Sequence, residues 1–214
     1  MSRACVLLAA CVTLAACSIG RPIPQATTYV IDLLGDKPPL SARRCSDAVR
    51  MGNVRVAAAY AGSALIYRLD EVRYAADPYH AFVADPGAML GNKIAQWLDL
   101  AGPFGAVAQP GSAQPAPYVL EATVAELYGD FREGRPPAAV LTVQFALIEQ
   151  ASPRSKVLYE RTMTRHIDLL KASPDTLVQG YGTALGQILS QVATDLGDQL
   201  VQSSMAPCRI RRQE

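Results

Sequence analysis

Residues 29–206 predict an α+β fold, a two-layer sandwich in which a mostly antiparallel sheet packs against two main helices. Three observations point there. Over Ala138–Glu149, Leu141, Val143, Phe145 and Leu147 alternate with Thr142 and Gln144, the pattern of a strand with one core face. Two stretches, starting at Asp85-Pro86 and Ser173-Pro174, set a cap residue before a proline and then repeat apolar residues every three or four positions. The elements also follow one another as strands, helix, three strands, helix, an order that places helices in one layer and strands in the other.

The first strand is expected at Tyr29–Leu33. Residues 34–53 hold Gly35, Pro38-Pro39, Gly52 and Asn53 and read as mostly loop. Val54–Val56 and Leu65–Arg68 are short strands, and Val72–Tyr74 follows Asp70 closely enough to pair with the latter as a hairpin. In the first helix Met89, Leu90, Ile94, Trp97 and Leu98 form the apolar stripe, which runs to Leu100. Phe104–Ala108 is a short strand, and residues 109–117 (QPGSAQPAP) form a loop. Tyr118–Tyr128 and Ala138–Glu149 flank REGRPP and make a second hairpin, which Val157–Ile167 extends to a meander. The last helix carries Leu177, Tyr181, Leu185, Ile188, Val192, Leu196 and Leu200 on one stripe of roughly 28 residues, about 40 Å long.

The N-terminus reads as a targeting segment. Residues 1–16 hold Arg3, no acid and an apolar run ending in small residues, too short to cross a bilayer as a helix. Leu14-Ala15-Ala16-Cys17 is similar to the bacterial lipobox, in which the cysteine is acylated and becomes the first mature residue. The alternative is an ordinary secretory signal with an incidental cysteine. Residues 17–28 then form the lipidated cysteine and a tether, and 207–214 a basic C-terminal tail. Two or more acyl chains anchor a protein stably where one does not. By analogy with the lipoprotein sorting rule of enteric bacteria, in which Asp after the cysteine favours inner-membrane retention, Ser18 favours the periplasmic face of the outer membrane, with the inner membrane as the alternative. Without residues 1–16 the chain has 19 basic and 19 acidic residues. That balance argues against nucleic acid, and a hydrophobic content of 50% excludes an intrinsically disordered chain. Cys45 and Cys208 remain, and two thiols in an oxidising compartment read as a disulfide, with two free thiols as the alternative. The bridge would close a ring of about 160 residues.

Catalytic parts are few. The chain has His80 and His166 alone, and no H-E-x-x-H, C-x-x-C, G-x-S-x-G or Walker-type loop. No catalytic residue, metal or cofactor is therefore assigned. Gly180-Tyr181-Gly182 with Gly186 superficially imitates a dinucleotide loop but falls inside the helical stripe. One cluster remains, residues 68–86 (RLDEVRYAADPYHAFVADP). Its simplest reading is a clamp of Tyr79 and Phe82 around the helix entry with His80 on the turn; a surface for a partner or lipid is the other.

The lipobox, YVIDL, ALIYRLDEVRY, DPYHAFVADPGAML and the late hairpin together resemble the ABC-type transport auxiliary lipoproteins, also called PqiC-like, over about Tyr29–Leu200. Arg68, Tyr74, Tyr79, His80, Phe82 and Pro86 lie in the matching motif, and Phe82 keeps an aromatic where many members carry tryptophan. The resemblance implies a non-catalytic docking subunit of a lipid transport system that maintains the outer membrane. Its implied partners are a mammalian-cell-entry (MCE) type protein with its ABC permease and ATPase, and the membrane, through the anchor. Phospholipid and further copies of the chain are open partners. The alternative is a structural lipoprotein of another outer-membrane assembly machine.

Overall fold

The computed structural model describes residues 25–33, 38, 47–150 and 154–202, the last three by backbone alone. Cys17, Cys45 and Cys208 lie outside the described residues, and so does the tail.

Strand β7 (Tyr118–Asp130) is the axis of a nine-stranded open sheet. One edge is filled by β8 (Ala138–Glu149), which in turn pairs with β9 (Lys156–Asp168), both antiparallel and along almost their whole length. The other edge is shared end to end by three short parallel strands: β2 (Ala48–Met51), β3 (Arg55–Val56) and β4 (Ala64–Arg68). Beyond β2 lies β6 (Ala106–Ala108), in parallel. Beyond β4 lie β5 (Tyr74–Phe82), antiparallel, and then β1 (Thr27–Tyr29), parallel to β5. The long ladders are antiparallel as expected. The five parallel pairings are each two or three residues long.

Two helices cover one face. Helix α1 (Pro86–Ala101) starts where Asp85 accepts a hydrogen bond from the Ala88 N–H (2.8 Å) and stops at Gly102 in the left-handed conformation, which glycine enters without strain. Helix α2 (Pro174–Gln202) is held at its start by Ser173. Leu177, Tyr181, Leu185, Ile188 and Leu196 of α2 meet Ala139, Leu141, Val143, Phe145 and Leu147 of β8 in one fully buried cluster, joined by Leu90, Ile94, Trp97 and Leu98 of α1. The alternation read in β8 therefore marks the core side correctly.

Three expectations change. Tyr29–Leu33 is not a strand throughout: β1 ends at Tyr29, and the chain then crosses α2, where a Cβ on Gly182 would stand 2.1 Å from the Asp32 carbonyl oxygen. Ile31 is buried there, and Asp32 takes an ion pair from Lys93 of α1 (2.7 Å). Of the expected short strand Val72–Tyr74 only Tyr74 lies in a strand, where it opens the nine-residue β5 that runs on through the expected turn to Phe82, and β2 emerges from the expected loop 34–53.

Candidate functional site

The cluster at residues 68–86 divides into two polar assemblies at the ends of β4, β5 and β7. The first is the β4–β5 turn. Asp70 accepts hydrogen bonds from the Val72 and Arg73 N–H groups (2.9 and 2.7 Å) and pairs with the Arg73 guanidinium. The Val72 N–H first and Arg73 next hold its carboxyl down at about 2. Arg68 donates to the Asp70 carbonyl (3.1 Å) and to Glu71 (2.9 Å), and its guanidinium lies 5.8 Å from the centre of the Tyr74 ring, a cation–π distance. Tyr74 in turn stands edge-on to Tyr128, which stacks on Tyr60. Arg132 comes from the β7–β8 turn. It grips Asp130 through two hydrogen bonds (2.8 and 2.6 Å) and donates to Glu71 (2.5 Å). Asp130 is 8% exposed, and its carboxyl is held below the ordinary range chiefly by Arg132. A cleft of about 520 Å³ opens between the two turns, lined by Leu69, Arg73, Phe131, Glu133 and Arg135 among others.

The second assembly lies within β5. Asp77 accepts from the Tyr79 and His80 N–H groups (2.8 and 3.0 Å) with one oxygen, which bulges the strand at Asp77-Pro78. Its other oxygen meets the Tyr67 hydroxyl (2.6 Å) and His80 Nδ1 (2.8 Å). Burial pushes the Asp77 carboxyl up, but those hydrogen bonds outweigh it and leave it lowered. Burial first, and the Asp77 carboxylate second, raise the Tyr67 hydroxyl. The Tyr67 ring stacks on Phe131 at 4.9 Å, which joins the two assemblies.

The predicted residues thus separate. Arg68 and Tyr74 meet on the hairpin. His80 lies in a strand rather than on a turn, and the ring of Tyr79 is exposed at the bulge. The expected clamp does not form: Phe82 is 4% exposed and faces Tyr181 in the core, and Pro86 is buried at the start of α1. Both are therefore buried rather than on the surface. Sequence reasoning missed Tyr67, Asp130, Phe131 and Arg132; an acid and an arginine two apart at the end of a long strand was the available signal. Among the described residues, no group of three or more His, Cys, Asp or Glu side chains is placed to hold a metal. No helix among them is long and apolar enough to cross a membrane.

Residues 33–193 match the model of a family described as the ABC-type transport auxiliary lipoprotein component. A crystal structure of a Xanthomonas campestris protein is similar over 86% of this chain and 100% of its own, at 18% identity and a TM-score of 0.67. An uncharacterised protein is similar over 82% of this chain and 99% of its own, at 16% identity and a TM-score of 0.58. A hypothetical protein of Chlamydia trachomatis, at 13% identity, covers 72% of this chain and 97% of its own with a TM-score of 0.50. At these identities the likenesses show the fold alone. No curated protein matches the sequence.

Proposed function

This chain belongs to the family of ABC-type transport auxiliary lipoprotein components, and from that premise we propose that it is a non-catalytic docking subunit of an MCE-type lipid transport system, anchored through Cys17 at the periplasmic face of the outer membrane. The single observation that supports a docking role over a chemical one is how the polar cluster is occupied. Asp70, Glu71, Asp77 and Asp130 each already hold a cation, a backbone N–H or a hydroxyl. A general base or nucleophile needs a lone pair aimed at substrate, whereas these groups are turned on one another and stiffen a surface.

The physical need for such a subunit is plain. A lipid crossing an aqueous gap exposes its acyl chains at a cost of roughly 0.8 kcal/mol per methylene, so a hydrophobic conduit has to meet the membrane at a fixed place. A rigid domain held by acyl chains supplies that place, because two or more chains anchor stably. The lipobox-like Leu14–Cys17 and the following Ser18 support the anchor and its destination. The Cys17→Ala protein should leave the membrane fraction for the soluble periplasm, and cells carrying it should lose resistance to detergents. A Cys17→Ala protein that still fractionates with membranes, or a normal barrier in its presence, contradicts the reading.

A further inference from the structure

Tyr74, Arg68, Asp130, Ala138 and Asp168 pair in register across five neighbouring strands. The turns that follow, 69–73, 131–137 and 169–173, therefore leave the sheet at one end, along a row about 19 Å wide at 4.8 Å per strand. Two of these turns present large apolar side chains to solvent. Val72 is 84% exposed, Leu170 fully exposed and Leu69 39% exposed. Arg73, Arg135 and Lys171 stand one in each of the three turns. The acids beside them are engaged at Asp70, by Arg73, and at Glu71, by Arg68 and Arg132, while Glu133 lines the cleft. Apolar side chains projecting among arginines and lysine suit the boundary between headgroups and acyl chains.

A second observation is where the chain enters. Strand β1 is parallel to β5 and so runs away from these turns, with Thr27 opposite His80. The described chain begins at Gln25, on the turn side of Thr27. His80 is six residues from Tyr74, so Gln25 stands roughly 13 Å short of the row at 3.3 Å per residue. The seven residues between Cys17 and Gln25 include Pro22 and Pro24; at about 3.1 Å per residue they reach roughly 22 Å. The acyl chains can thus sit beyond the turn tips without the tether reversing direction.

We propose that this end of the sheet seats against the bilayer that holds the acyl chains of Cys17, with Val72, Leu170 and Leu69 entering the headgroup boundary. The proposal rests on the reading that Cys17 is acylated. Its test uses the full-length lipidated protein in vesicles of phosphatidylethanolamine and phosphatidylglycerol, part of the lipid brominated near the carbonyl end of its acyl chains. Tryptophan is placed by Val72→Trp or Leu170→Trp, and at the opposite end of the sheet by Val157→Trp. Val157 pairs with Ile148, which pairs with Val119 near the start of β7, and it is exposed. Trp97 is buried and gives every variant the same background.

The expected result is loss of the added fluorescence in Val72→Trp and Leu170→Trp when brominated lipid is present, with Val157→Trp unchanged. Equal quenching at both ends, or quenching of Val157→Trp alone, overturns the proposal. So does protein that floats with the vesicles while neither tip is quenched, as when a second copy or a protein partner covers the turns. Protein that fails to float contradicts the acylation reading itself, and the orientation falls with it.

Discussion

At the end of β7, Asp130 and Arg132 hold each other through two hydrogen bonds where little water reaches either side chain. Removing Asp130 takes away two of the three side-chain hydrogen bonds that hold Arg132 and leaves Glu71 as its remaining carboxylate. Asp130→Ala should therefore lower the unfolding midpoint in urea titrations. The lowered carboxyls also set an acid limit. Asp70 at about 2, with Asp77 and Asp130 below their ordinary range, bind fewer protons in the native state than in the unfolded chain, where an aspartate titrates near 3.9. Their stabilisation is complete above roughly pH 4 and is lost as pH falls toward 2. Asp77→Asn should flatten that acid limb. The tyrosines act at the other extreme. Burial, and then Tyr74, push Tyr60 up to about 12, and burial raises Tyr67 and Tyr181 as well. Unfolded tyrosines ionise near 10, so stability should hold below that pH and decline as it rises toward 12. Thermal melts across both windows check the two signs.

Within α2 three glycines have different reasons to be glycine. A Cβ on Gly182 would stand 2.1 Å from the Asp32 carbonyl oxygen, and one on Gly180 would stand 2.6 Å from the Ala139 side chain, whereas at Gly186 the nearest contact is 3.9 Å. Gly182→Ala should force α2 away from residues 30–33 and destabilise by about 1–3 kcal/mol. Gly186→Ala should stabilise by up to about 1 kcal/mol, since alanine is the better helix former. Equal effects in denaturant unfolding would contradict this packing. Both helices were legible in the sequence because their signals are local: a cap, a proline and an apolar stripe sit together at Asp85 and at Ser173. The β7–β8–β9 meander was legible from alternation over a dozen residues. Strand β5 was not, because Asp77-Pro78 imitates a turn, and only the four hydrogen bonds that Asp77 accepts turn it into a bulge within a strand. Strand β2 was missed and β1 misplaced because each has four residues or fewer, too few to show a period, and their partners lie far along the chain. The same distance separates the halves of the site: Arg68 and Tyr74 stand out in the sequence, but Asp130 and Arg132 join them only when β4 pairs with β7.

On the scale of the whole molecule, the sheet end that carries the polar cluster also carries the exposed apolar tips, and β1 runs away from it. Helices α1 and α2 close one face of the sheet, so the rigid parts of the domain hold the three turns in a fixed relation. That arrangement is what the proposed docking role requires, since such a role needs position rather than chemistry. Its most direct test is affinity purification of the full-length protein from crosslinked cell envelopes, with mass spectrometry of what comes with it. An MCE-type protein recovered with the wild type, and lost with Cys17→Ala, is the predicted result. Wild-type protein recovered in good yield from envelopes that contain the MCE-type protein, yet without it, would contradict the account.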